Sequence, residues 1–404
     1  MNARPLEYAS LKTVIQQMDP NLRFKVCHCL PSIGKIDRVV PLKIKQLKFE
    51  PYKIIVNEIE YQLGTYREYG NHEVPAKHKE QNEQGGVAWD FDEYGFQVTD
   101  DLSTPGTISI EEVLLLWPQN GEQVGLVESQ LTILEYIMSQ KQSGDYKPLF
   151  ANLNDPNFTL IAHFEKRPVY AIRKLNIRNP TGRLFCHNYP EGLKLGQAQK
   201  QLTDSLFGHR SDPILVKNLV VDSHIIHLPV GIKLKIRELI SKRDTVSVCK
   251  AFQTIIDSSS YPLKVATVSG NDFNHPIIKT AEELVISRGI MSGEIQKVLN
   301  LGNRRITVRN ANFQVNEFIE NVENILVSPR EIGTVLRFGI YKLEMIARIL
   351  GMLETRFKQA RTGPRCVIVG MNDCRRQMVV YYEPTGHWNN CKPPFDLVMK
   401  VEKY

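Results

Sequence analysis

The sequence predicts a mixed fold, α+β passing into α/β, in three parts. These are a short helical N-terminal unit (1–41), a β-hairpin region with a long acidic loop (42–210, loop 67–110), and a β/α array (211–404) that reads as an irregular leucine-rich-repeat-like solenoid. Three observations predict it. The 404 residues are 42% hydrophobic and 24% charged, an ordinary globular composition with material for two or three domains. Apolar residues before Pro41 recur mostly at three- and four-residue spacing, the helical period. From about residue 214, apolar strand-like segments alternate with amphipathic helical ones, as in arrays whose units cover one another's hydrophobic faces.

The N-terminal helices come first. Leu6, Leu11, Val14, Ile15 and Met18 fall on one helical face. Asp19-Pro20-Asn21 ends it, because Pro20 cannot continue the hydrogen-bond ladder but suits the first turn of the next helix. Leu22, Val26 and Leu30 give that helix its face, and Ile33 and Ile36 follow. Isolated helices this short are marginal in water, so the segment must pack on the body of the protein or on a partner.

Strands come next. Leu42, Ile44, Leu47 and Phe49 roughly alternate, and 54–56 with 59–63 read as a hairpin around Asn57-Glu58, Asn57 being the turn residue. Residues 67–110 are polar, with Gly85-Gly86 and Pro105-Gly106, and are expected as a loop with little regular structure. A helix over 130–139, a second hairpin pairing 158–164 with 169–177, and a helix over 195–207 ended by Gly208 complete this region. In the last part the strand centres are Leu219, Leu239, Val265, Leu284, Ile306 and Leu336, spaced 26, 19, 22 and 30 residues apart from Leu239 onward. Between them lie helical faces built on Val248, Phe252 and Ile255, then Ile295, Val298 and Leu299, then Val315, Phe318, Ile319, Val322 and Ile325. A helix over 343–357 and three closing strands, 366–369, 377–382 and 397–401, could cap the array; an open α/β sheet is the competing architecture.

Charge is unevenly spread about the net of +7. Residues 1–66 hold ten basic and six acidic side chains, 67–130 three and thirteen, and 131–404 thirty-eight and twenty-five. An acidic insert thus separates two basic bodies. A basic surface with Arg304, Arg305, Arg309, Arg375 and Arg376 gives RNA binding as a further, less favoured alternative; without exposed aromatics among the cations ordinary surface charge explains them better. Seven cysteines are too few for a disulfide framework, the start lacks an apolar signal core, and no apolar run approaches the roughly 20 residues of a bilayer span. A cytoplasmic or nuclear address is the expectation.

Chemistry is sparse. No phosphate loop, dinucleotide fingerprint or zinc-protease helix is present. Cys27-His28-Cys29 lacks both the usual ligand spacing and a second pair. His224 and His227, three apart on a strand, face opposite ways. His387 and Cys391 lack an orienting third group, and Asp90, Asp92 and Glu93 lack the rest of a calcium loop. The expectation is a non-enzymatic protein with no catalytic residues, metal, cofactor or small-molecule substrate.

The helix, Asp-Pro, helix pattern between Pro5 and Pro41 resembles a degenerate F-box, with Pro5-Leu6 in place of the usual Leu-Pro opening. The wider chain resembles a large nematode-expanded family of F-box C type proteins built on a domain of unknown function. That likeness is carried by Leu6-Glu-Tyr-Ala-Ser-Leu-Lys, Val40-Pro-Leu-Lys-Ile, Glu83-Gln-Gly-Gly-Val, Asp92-Glu-Tyr-Gly-Phe, Thr104-Pro-Gly, Leu206-Phe-Gly and Leu228-Pro-Val-Gly. The resemblance implies that Leu11, Val14, Ile15, Met18, Pro20, Leu22, Arg23 and Val26 meet a Skp-type adaptor of a cullin ubiquitin ligase, while the rest of the chain recruits an unknown protein target. A scaffold with no ligase role, whose helices only cap its own core, is the alternative.

Overall fold

A computed structural model describes residues 8–70, 73–92, 97–98, 105–110, 169–269, 273–327, 330–357, 360–363, 365–372, 375–386 and 392–404. The chain forms two units. One comprises Met1–Val216, Asp222–Leu234 and Ala251–Ile255, the other Lys217–Val221, Lys235–Lys250 and Ile256–Tyr404.

In the first unit, α1 (Tyr8–Gln17), α2 (Pro20–Cys29) and α3 (Pro31–Arg38) succeed one another with almost no linker. The breaks follow from the sequence. Asp19 caps α2, its carboxylate accepting from the Asn21 N–H at 2.8 Å, and a proline opens both α2 and α3, where a missing N–H costs nothing. Strands β1 (Lys43–Glu50), β2 (Lys53–Val56) and β3 (Ile59–Glu68) form an antiparallel meander in which Val56 pairs with Ile59. The hairpin turns at Asn57, whose φ of 55° lies in the left-handed region that asparagine tolerates.

The acidic stretch departs from its expectation as a loop. It contains α4 (Ala76–Gln84), the short pair β4 (Asp90–Phe91) and β5 (Gln97–Val98), and β6 (Thr107–Ser109). The sequence Ala-Lys-His-Lys-Glu-Gln-Asn-Glu-Gln buries no residue and has no apolar stripe for periodicity to detect. Its end is what fixes it. Gly85 closes α4 at φ 118°, and the backbones of Gly64 and Gly85 approach too closely to admit a Cβ on Gly64. Val87 then pairs with Thr65 and packs with Tyr69, Phe91 and Val169.

The expected partner strand 158–164 and the helix 130–139 lie outside the described residues. Strand β7 (Tyr170–Asn179) runs between β3 and β8 (Gly182–Asn188), antiparallel to both. Helix α5 (Leu195–Phe207) buries Leu195, Ala198, Leu202, Leu206 and Phe207, and ends at Gly208 as expected, although Gly208 is extended rather than left-handed. Strand β9 (Ile214–Val221) has residues in each unit, and β10 (Ile225–His227) pairs antiparallel with β6.

The following elements alternate. They are β11 (Leu234–Ser241), α6 (Thr245–Ala251), a 3-10 turn (Ser258–Ser260), β12 (Val265–Val268), α7 (Pro276–Thr280), β13 (Glu283–Ile290), α8 (Ile295–Leu299), β14 (Arg305–Ala311), α9 (Val315–Val327), β15 (Val335–Ile340) and α10 (Leu343–Arg356). Then come β16 (Arg361–Gly363), β17 (Cys366–Gly370), β18 (Arg376–Pro384) and β19 (Phe395–Lys403). Strands β11 to β15 are parallel neighbours in chain order. Antiparallel β19 lies beside β15, followed outward by β18, β17 and β16. Leu239, Ala266, Leu284, Ile306, Leu336, Met399, Val380 and Val367 stand in one register row, and each is buried. On β14 the alternate residues Arg305 and Arg309 are exposed and Thr307 half-buried, so pleat and burial keep step. Helices α8, α9 and α10 pack side by side, and Phe318 of α9 lies edge-on to Phe338 of β15 at 5.8 Å. The fold class is mixed α/β, and every strand centre expected after residue 214 falls within a strand.

Candidate functional site

The eight residues proposed for an adaptor divide by burial. Ile15, Pro20 and Arg23 are buried, Leu11, Met18 and Val26 are half-buried, and Val14 and Leu22 are exposed at 40% and 48%. On α2 the division follows the helical period. Leu22, Val26 and the cap residue Leu30, itself exposed, recur every fourth residue on the outer side, while Pro20, Arg23 and Phe24 turn inward.

The inward side is anchored. Phe24 meets the rings of Tyr61 and Phe207 edge-on at 6.5 and 6.0 Å. Asn21 donates to the Val56 carbonyl at 3.1 Å and accepts from the Tyr61 hydroxyl at 2.9 Å. Arg23 spends its donors inside the chain. Its Nε donates to Asp37 Oδ1 at 2.6 Å, and its two Nη atoms donate to the carbonyls of Pro41, Asp37 and Val40. Arg210 donates to Asp37 Oδ2 at 2.5 Å from the other side. Arg23 is therefore a buried ion-pair member and presents no charge on the surface. Sequence reasoning missed Asp37 and Arg210; the available signal was a single acid at 37 between Lys35 and Arg38.

The residues weighed for chemistry remain apart. Burial, then Asp37, pushes the Cys27 thiol up, which disfavours the thiolate that a metal would need. Cys29 is exposed. His227 is buried, with Nδ1 2.9 Å from the Thr107 hydroxyl, whereas His224 precedes β10. Asp90 is buried against Arg173 at 2.8 Å and accepts from the Leu195 N–H at 2.7 Å, so it joins β4 to β7 and to the start of α5. His387, Cys391 and Glu93 lie outside the described residues. Among the described residues, no group of three or more His, Cys, Asp or Glu could hold a metal, and no helix is long and apolar enough to cross a membrane. Of the arginines weighed for RNA, Arg305 and Arg309 are exposed on β14, while Arg376 donates to the Arg330 carbonyl at 2.6 Å.

A cleft of about 830 Å³ opens where β13, β14 and β15 end, at Ile290, Ala311 and Ile340. Asn310, Asn312, Gln314 and Asn316 line it together with Lys342 and Arg348. Met291 and Tyr341 stand exposed in its wall at 61% and 43%.

Residues 194–342 match a family described as Domain of unknown function (DUF3557). The match covers less than half of the chain and includes α5, the five parallel strands and most of the cleft lining. No curated protein and no solved structure matches the chain.

Proposed function

We propose that the protein is a non-enzymatic interaction module of the cytoplasm or nucleus, whose N-terminal helices dock on a Skp-type adaptor of a cullin ubiquitin ligase. The repeat-like strands and helices of the second unit then hold a protein target. The observation that carries the docking reading is the outward stripe of α2, with Leu22 and Leu30 exposed and Val26 half-buried between them. Contiguous exposed apolar patches on a protein surface mark interaction sites. The α8–α10 layer beside register-matched parallel strands supports the leucine-rich-repeat-like solenoid, an architecture suited to gripping another macromolecule.

Co-purification of a Skp-type adaptor with the full chain tests this reading. Leu22→Asp with Leu30→Asp should abolish recovery while leaving the melting temperature within a few degrees. Equal recovery by both proteins, or by neither, would overturn it. The scaffold reading is favoured by a different observation, the Arg23–Asp37–Arg210 cluster that fastens the helices to their own unit. It predicts no adaptor with either protein.

A further inference from the structure

We propose that the cleft at the carboxyl ends of β13, β14 and β15 binds an extended polypeptide segment in which an acidic residue stands beside an aliphatic one. The inference deepens the target-holding part of the proposed function and rests on it, but does not depend on the helical stripe.

The lining chooses the ligand class. A carboxamide carries one carbonyl acceptor and two N–H donors, the pair that a peptide group presents in reverse. Four carboxamides stand at every second position from 310 to 316, all lining the cleft, and none makes a side-chain hydrogen bond within the described residues. Neighbouring strands lie roughly 4.8 Å apart, so three strand ends span about 10 Å, the reach of about three extended residues. Such amides read the backbone and leave side-chain choice to the walls.

The walls supply that choice. Lys342 and Arg348 outnumber the single acid, Glu344, so the cleft favours a carboxylate. Met291 and Met345 are unbranched and adaptable, which suits an aliphatic side chain. A glycan fits less well. Its hydroxyls would use the amides but leave the excess positive charge over Glu344 unmatched, and of the two aromatic rings in the lining Phe313 is buried.

The test is to pan a phage-displayed random dodecapeptide library on the full chain and measure the enriched clones by fluorescence anisotropy. Expected clones pair Asp or Glu with Leu, Ile or Val, and bind Asn312→Ala with Asn316→Ala at least tenfold more weakly. Arg348→Glu should turn the selection toward basic peptides. All three sites are exposed, so melting should not move; should the double variant melt early, Arg348→Glu carries the test alone. Leu22→Asp with Leu30→Asp should bind the peptides as the unaltered chain does, so that failure here and failure of adaptor docking remain distinguishable. Absence of enriched clones, clones indifferent to these substitutions, or binding only on a glycan array would overturn the proposal.

Discussion

Replacing Asp37 with alanine separates the helices' structural side from their outward side. The Asp37 carboxylate sits between two guanidinium groups, and the side chains of Arg23, Asp37 and Arg210 are exposed by only 2%, 6% and 7%. Burial weakens the charged form of Arg210, and Asp37 opposes that effect. Without the carboxylate, two buried cations lose their counter-charge. Breaking a buried pair in this way costs about 3–5 kcal/mol. At about 2–4 °C per kcal/mol for a domain of some 150–250 residues, the first unit should melt roughly 6–20 °C lower. Arg23→Met should cost less, about 1–3 kcal/mol, because Asp37 keeps Arg210 while three carbonyls lose a donor. Circular dichroism melts of the two variants, with urea titrations at one temperature, measure the order. A loss below about 1 kcal/mol for Asp37→Ala, or a larger loss for Arg23→Met, would refute the reasoning, because each requires water or another charge to compensate the cluster.

Two further stability predictions accompany the adaptor and peptide tests. Phe338 is fully buried among Phe313 and Phe318, so Phe338→Ala should cost about 3–5 kcal/mol in urea unfolding of the second unit. His78 stacks on Tyr69 with Nδ1 2.5 Å from its hydroxyl, and burial, then Arg67 and Lys77, pushes its pKa down to about 4 from an ordinary 6.5. The unfolded chain therefore takes up this proton first as pH falls from 6.5 to 4, and stability should decline across that window by roughly 1–2 kcal/mol after solvent screening of a half-exposed ring. His78→Gln should flatten that part of the curve; an unchanged profile would assign it to other groups.

The sequence reveals those parts of the fold that depend on apolar period. Leu239, Leu284, Ile306 and Leu336 mark strands because each is a buried apolar residue within a short apolar segment, and Asn57 marks a turn because few other residues accept its φ. Helix α4 leaves no such trace, because all nine of its residues are polar or small and its position is set by glycine contacts with β3. Strand β8 pairs at the edge next to β7, where local pattern gives no clue to the partner. The adaptor set is half legible. Leu22 and Val26 follow from helical spacing, whereas the inward role of Arg23 depends on Asp37 and on Arg210, which is remote in sequence. The cleft is not legible, because its carboxamides mean little until strand ends bring them beside Lys342 and Arg348.

The placement of β19 has a consequence for assembly. This strand comes after β16, β17 and β18 in the chain yet is inserted between β15 and β18. β16, β17 and β18 can therefore join the sheet's hydrogen-bond ladder only through a segment that leaves the ribosome after them, and the closing pairs bridge from 55 positions (Ile340 to Phe395) to 65 (Val335 to Lys400). Such long-range pairing is slow because loop-closure entropy is lost before the contacts form, so the sheet should complete late. A protease cut or an early stop before Phe395 would then remove the keystone of the array rather than trim its rim.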